Sequence, residues 1–343
     1  MRRRPSTLAG VSRVVVWSLY ALLVGIWSST WVAIKVGLED TPPLLGAGVR
    51  FSVAGVGLLV LARLRGRSLR TDAVLAAILA VMAPRPTDGS EPPAPVAEAL
   101  AASDVFIVPA SKSLSHTLAR KRASENGARG ATMPHVTPDM LARLMAIDFD
   151  RLGERCRAVA GVLDAGQEAH VTCPRGSDLR LDLRGRHGIS DDGDLTARGS
   201  FGNLPCGEGF IAPAGAQGTM VSRSLASIGL THGHPATLTI EDGHLTAATG
   251  AEGEQLLGIL REHGERGTNV AELGVGTNEH ARLTGNVLED EKILGTVHVA
   301  FGASIAIGGR VSVPIHLDCV VTEASLTVDG TPVLRDGRYA LAA

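Results

Sequence analysis

Cysteine is scarce in this chain, aromatic residues are scarcer than usual, and neither sign of charge is in excess. Four Cys (Cys156, Cys173, Cys206, Cys319) are spread through 343 residues with no CxxC pair. That argues against a disulfide scaffold and a zinc knuckle, and suits a reducing compartment. The balance of 33 Lys+Arg against 35 Asp+Glu leaves a net charge of −2, with a pI near 6.6. Bulk electrostatics therefore gives no reason to expect a nucleic-acid partner. There is no Walker A pattern and no GxGxxG fingerprint. What is present is a hydrophobic fraction of 45% with 41 Gly, enough for a sizeable core, and 20% charged residues, which argues against wholesale disorder. The length suits two or three structural units.

The composition changes sharply along the chain. All three Trp (Trp17, Trp27, Trp31) precede residue 32. Val14 to Val36 is apolar apart from Lys35, and about twenty such residues span a hydrocarbon layer as a helix. Leu44 to Ala62 is a second apolar run, interrupted by Arg50. Arg2, Arg3, Arg4 and Arg13 precede the first run, and Arg63, Arg65, Arg67 and Arg70 follow the second. The positive-inside rule then predicts a hairpin with both ends in the cytoplasm. The expected organisation is a two-helix transmembrane hairpin over 1–72, a truncated α/β subdomain over 73–165, and an α+β metal-binding domain over 166–343. The expected location is membrane-associated, with the catalytic domain in the cytoplasm.

Beyond the Pro-rich stretch Ala83 to Pro95 the text reads as an α+β fold. Val96–Ala102 has a helical pattern, and Asp104–Ala110 reads as a buried strand. Leu114–Gly127 reads as a basic-faced helix, and a helical period runs from Thr137 toward Leu163. After Gly166 the period switches to two. Strands are expected at Ala169–Cys173, Leu179–Leu183, Lys292–Gly302 and Val311–Thr322. Hairpins are expected to turn at Glu241-Asp242-Gly243 and at Asp329-Gly330, with a helix over Glu252–His263.

The sharpest chemical feature is His316-Leu317-Asp318. In a strand, residues i and i+2 share a face, so His316 and Asp318 can meet one metal while Ile315 and Leu317 pack behind them. Imidazole plus carboxylate suits Zn, Mn, Co or Fe(II). The competing reading is a polar strand face. In GTVHVAFG, His298 points away from Val297, Val299 and Phe301, and alone would be a structural histidine. Glu208 and Glu272 sit in Gly-rich contexts, where a turn glutamate is the ordinary reading. Lys112, Arg120, Lys121 and Arg122 read as a solvated basic face, with a substrate carboxylate as the alternative. Thr231-His232-Gly233-His234 reads as a solvated loop. Asn278, Glu289, Asp290 and Glu291 are candidates for supporting the site from behind.

Two resemblances organise these residues. LLVGIWSSTWVAIKVGLEDTPPLLGAGVRFSVAGVGLLVLA, within residues 14–70, resembles the first two helices of EamA-type drug/metabolite transporters. From about residue 82 onward the stretches SKSLSHTLARKRA, FGNLPCGEGFIAP, AELGVGTN, LEDEKILGTVHVAFG and VPIHLD resemble the aminopeptidase T family. The closest branch is leucyl aminopeptidase-like, which also resembles 2,5-dihydroxypyridine dioxygenases. The resemblance implies a two-metal site on Glu208, Glu272, His298, His316 and Asp318, with Glu208 and Glu272 catalytic and Glu272 bridging. Two divalent ions (Zn, Co or Mn) would activate water to remove N-terminal residues from peptides. The family's Tyr is replaced here by Ile305, and Cys206 stands where the motif carries a small residue. These departures imply an alternative, a mononuclear Fe(II) ring-cleaving dioxygenase acting on a small molecule. Its ligands would be His298, His316 and Asp318, with His263 as a further candidate. The βα start of the family is also missing, and Ile78–Pro84 is its expected remnant strand. An incomplete sheet invites a homodimer. The third reading is an inert chimera of a carrier fragment and a partial peptidase.

Overall fold

The computed structural model describes residues 78–341. A small parallel sheet comes first. β1 (Val105–Ala110) and β2 (Arg129–Pro134) pair from Val105↔Arg129 to Ala110↔Pro134, and β3 (Phe201–Asn203) joins the far side of β2, also parallel. Helices α1 (Ala94–Ala102) and α2 (Leu118–Glu125) pack on it through Leu100, Phe106, Ala123 and Ala128. α2 starts at residue 118 because the Thr117 hydroxyl accepts a hydrogen bond from the Arg120 N–H. The expected longer helix from Leu114 is therefore shortened, and Ser113 to Thr117 form a loop.

The helical pattern from Thr137 to Leu163 is two helices, α3 (Pro138–Leu144) and α4 (Phe149–Ala165). The break is chemical. The Asp148 carboxylate accepts hydrogen bonds from the N–H groups of Asp150 and Arg151 and so begins a new helix. On α4, Leu152, Cys156, Val159 and Leu163 recur at helical spacing and are fully buried.

Four strands carry the centre of the fold: β4 (Glu208–Ile211), β5 (Val270–Gly276), β6 (Val297–Gly302) and β7 (His316–Val321). They lie in the order β7–β6–β5–β4, all antiparallel, within a seven-stranded sheet. A separate eight-stranded sheet contains Glu168–Thr172, Asp178–Asp182 and the hairpin Ala236–Glu241/His244–Ala248. That hairpin turns on Asp242 and Gly243, both at positive φ, the expected later one on Asp329 and Gly330, likewise, and a further one follows at Asp336 and Gly337. Leu273, Val275, Val297, Val299, Phe301, Leu317, Cys319 and Val321 share one core with Ala169, Val171, Leu179 and Leu181 of the second sheet. Alternation thus commits one face of the central sheet to the core and frees the other.

Several expectations are corrected. The expected fold class, an α+β domain preceded by a two-helix transmembrane hairpin, does not stand: the α+β part is what the structure describes. No helix among the described residues is long and apolar enough to cross a membrane, and both expected spans lie outside the described residues. The membrane-associated location expected from that hairpin is corrected with it, since no described helix provides a span. Ile78–Pro84 forms no strand; Ile78, Leu79 and Val81 are exposed. The strand expected from Lys292 begins at Val297, and the one expected from Val311 begins at His316.

Candidate active site

The free face of the central sheet collects the chemistry, and its register explains how. Glu272 pairs with Ala300, and Ala300 pairs with Asp318, so the two carboxylates flank a methyl group across three strands. His298 pairs with Gly274, and Glu208 with Gly276. At Gly274 an added Cβ would lie 1.9 Å from His298 Nε2, so only glycine leaves room for this imidazole. His316 opens β7 opposite Gly302. Glu272 faces outward by alternation with Leu273 and Val275, and a bulge between Val270 and Glu272 shifts the phase ahead of it. Val270 and Leu273 both belong to the core, and the extra residue restores the alternation between them.

The five side chains converge. His298 Nε2 lies 3.1 Å from Glu208 Oε2 and 3.5 Å from Glu272 Oε1. His316 Nε2 lies 3.4 Å from Glu272 Oε2 and 3.7 Å from Asp318 Oδ2. Two three-residue groups result, Glu208–Glu272–His298 and Glu272–His316–Asp318, each with its potential ligand atoms within 4.8 Å of one another. Glu272 belongs to both.

Hydrogen bonding shows that the set suits a cation. His298 Nδ1 is buried without a hydrogen-bond partner, and Glu208 Oε2 and His298 Nε2 face each other at 3.1 Å with no well-aligned hydrogen bond, an arrangement that is costly unless something else satisfies them. His316 Nδ1 lies 2.8 Å from the Ala303 carbonyl oxygen. Donation there leaves Nε2 to face the carboxylates, where it can hold a cation, as metal-binding histidines do, or carry a proton when no cation is bound. Oxygen and imidazole donors together fit Zn, Mn, Co or Fe(II).

Electrostatics sharpens the picture. Burial opposes ionisation of Glu272, but His298 and His316 outweigh it and hold its pKa near about 2. Burial likewise opposes the charged form of Asp318, and His316 reverses it, so the group is lowered. Burial disfavours protonation of His298 and His316, yet the facing carboxylates raise both well above the usual imidazole range. Lys292, fully buried, donates to Glu208 Oε1 at 2.6 Å and to Glu291 Oε1 at 2.5 Å. Burial, reinforced by the Asp318 and Glu208 carboxylates, lifts Glu291 to about 8 despite that ammonium. Asp191, beside the same cluster, is lifted by burial to about 7.

A cavity of about 990 Å³ opens over this face. Glu208, Glu272, His316 and Asp318 line it; His298 lies behind them. His116, from the loop before α2, stacks on His316 with ring centroids 4.5 Å apart. Burial, then the neighbouring His316, lowers its pKa to about 3. Sequence reading passed over His116, although it lies within SKSLSHTLARKRA. Lys292 was passed over as well, although it follows the acidic run directly.

The remaining candidates go elsewhere. Glu289 is ion-paired with Arg143, and Asp290 accepts from Ser224, Thr284 and Gly285. Asn278 ties the Leu144 and Cys206 carbonyls together. Of the acidic run only Glu291 lines the cavity. His263 follows a helix end and does not line the cavity, and His232 and His234 are exposed. Ile305 lies at the cavity wall in a short 3₁₀ turn. Tyr339, the one tyrosine among the described residues, pairs with Leu334 in the second sheet.

Comparison with known proteins follows the same lines. Two solved structures share the fold. The 2,5-dihydroxypyridine dioxygenase from Pseudomonas putida KT2440 matches with a TM-score of 0.64 and 22% identity, over 72% of this chain and 75% of that one. AmpT from Thermus thermophilus matches with a TM-score of 0.54 and 17% identity, over 73% and 80%. Curated relatives match only short segments. The uncharacterized inner membrane transporter YedA of Escherichia coli K12 is 50% identical over 52 residues, 15% of this chain and 17% of its own length. The uncharacterized transporter YoaV of Bacillus subtilis is 43% identical over 44 residues, 13% and 15%. The chain thus spans less than a fifth of the length of these transporters. A family model for 2,5-dihydroxypyridine 5,6-dioxygenase (NicX) instead matches residues 73–341, most of the chain. On that match, the chain belongs to the NicX family of 2,5-dihydroxypyridine 5,6-dioxygenases.

Proposed function

We propose that this chain is a metal-dependent ring-opening dioxygenase for a small hydroxylated aromatic heterocycle, with one iron held by Glu272, His316 and Asp318. The observation that carries the reading is the asymmetry of the cluster. Glu272, His316 and Asp318 face the cavity, whereas His298 is enclosed and Glu208 is already neutralised by the Lys292 ammonium. One open three-donor set therefore remains for one cation. An iron bound there would supply the redox chemistry that lets dioxygen react with an electron-rich ring. The chain's own residues do the rest. Phe201, Phe210 and Ile315 line the cavity with apolar surface that keeps water from a flat ring. His116, held against His316 and kept neutral by burial, offers an imidazole nitrogen as a hydrogen-bond partner that orients a ring hydroxyl. The Ala303 carbonyl fixes the His316 ring, and Lys292 keeps Glu208 and Glu291 from repelling the site's other carboxylates.

A second reading has its own support. Glu272 is common to both three-residue groups, the place a bridging carboxylate takes between two ions, as the peptidase reading requires. Metal analysis and turnover on the purified full-length chain separate the two. One iron per chain, with oxygen consumed as 2,5-dihydroxypyridine disappears, is the expected outcome. Two zinc, cobalt or manganese ions per chain, with release of N-terminal residues from short peptides and no oxygen uptake, would replace it with the peptidase.

A further inference from the structure

The basic residues that read as one solvated face are sorted by the structure into two kinds. Lys112 pairs with Asp88 at 3.3 Å, Lys121 with Glu125 at 3.8 Å, and Arg122 with Glu98 at 2.7 Å. Arg120 is different. It is 8% exposed, and no ion pair among the described residues includes it. Its Nε donates to the Ser115 carbonyl at 2.8 Å, and its guanidinium carbon lies 4.1 Å from the centre of the Phe201 ring. These two contacts fix the plane of the group. Its two terminal nitrogens make no hydrogen bond among the described residues, and Arg120 lines the same cavity as His316 and Asp318. Those nitrogens are open to the cavity, where a partly desolvated guanidinium gains most from an anion. A planar fork held rigid by stacking and by its Nε is preorganised for two parallel hydrogen bonds to a carboxylate.

We propose that Arg120 is a specificity-determining residue that anchors a carboxylate on the substrate, so that the site takes an aromatic ring acid rather than an uncharged dihydroxypyridine. This rests on the ring-opening reading for the identity of the ring, but not for the anchor itself. The cavity is divided accordingly. Glu272, His316 and Asp318 form one wall; Arg120 and Phe201 hold the charged end of the ring away from the carboxylates, which would repel it.

The test uses the full-length chain in two arms. In the first, titration calorimetry on metal-free protein compares pyridine-3-carboxylate with uncharged 3-hydroxypyridine. The carboxylate should bind at least about tenfold more tightly, as expected of charge-assisted hydrogen bonds. Arg120→Gln should erase that preference, and Arg120→Lys should restore part of it, because a point charge replaces a fork. In the second arm, oxygen uptake compares 2,5-dihydroxypyridine with a dihydroxypyridine carboxylic acid. The ratio of kcat/KM should favour the acid in the natural chain and approach one in Arg120→Gln, chiefly through KM. Carboxylate binding as tight in Arg120→Gln as in the natural chain overturns the anchor, as does a natural chain with no preference for the acid. Oxygen uptake with neither ring, alongside Arg120-dependent carboxylate binding, overturns the ring-opening reading and upholds the anchor. Should Arg120→Gln fail to fold, Arg120→Lys decides: a preference for the acid that is weakened by loss of the fork upholds the anchor, and an undiminished preference overturns it.

Discussion

His316 and Asp318 show how far one residue pair can be read before any coordinates exist. The two-residue period of a strand puts them on one face with Leu317 on the other, and Leu317 is indeed buried in the core. His298 was legible by the same rule, since Val297, Val299 and Phe301 claim the core face. The functional weight of each histidine differs, and substitution separates them. His316→Ala removes the nitrogen that faces both Glu272 and Asp318, so metal content measured by emission spectrometry should fall to background. His298→Ala, behind the open set, should keep one metal per chain at reduced affinity. Loss of all metal in His298→Ala would place His298 among the indispensable ligands and undo the one-ion arrangement. Other residues gave no signal in the sequence. His116 stands in a loop without periodicity, and its value comes only from stacking on a ring two hundred residues away.

Among elements, the regular ones were legible and the interrupted ones were not. α4 is read from its apolar spacing, and its packing makes a firm prediction. Leu163→Ala removes a fully buried side chain from the core shared by both sheets. The expected loss is about 2–5 kcal/mol in denaturant unfolding, with no change in metal content. A loss under half a kcal/mol would mean that the core relaxes to fill the gap. The strand carrying Glu272 was not legible in the same way, because two of its outward positions, Gly274 and Gly276, have no side chain to mark the polar face, and Gly weakens a strand reading. Nor was the helix break at Asp148, where a local cap overrides a continuous apolar stripe. The loop holding Asp88 adds a pH dependence. Burial opposes the Asp88 carboxylate, but the His135 side chain, the Ser113 N–H and Lys112 outweigh it, lowering its pKa from 3.8 to about 2. A depressed carboxylate contributes stability that is complete above its unfolded value and disappears as pH falls through the folded one. Stability should therefore decline between about pH 4 and pH 2, and Asp88→Asn should flatten that part of the profile. An unchanged acid limb in Asp88→Asn would assign the decline to other carboxylates.

For the whole molecule, the consequence of this design is that the site and the core are two faces of the same sheet. The apolar face of β5, β6 and β7 closes on the second sheet, and the opposite face gathers carboxylates and imidazoles that repel or pair in the absence of anything else. Any cation held by Glu272, His316 and Asp318 must therefore tie β5 to β7 across β6, and bind the folded chain far better than the unfolded one, where these residues are 44 and 46 positions apart in sequence. Mass action then requires stabilisation of about 2.7 kcal/mol when free metal is a hundredfold above its dissociation constant. For a folded unit of this size that corresponds to a rise in Tm of roughly 5–10 °C. Differential scanning calorimetry with Fe(II) under anaerobic conditions should show this rise, and a chelator should reverse it. His316→Ala should show neither the rise nor the reversal. A natural chain whose Tm is indifferent to every divalent metal would mean that the five side chains meet for structural reasons, with Lys292 and the two histidines as their counter-charges.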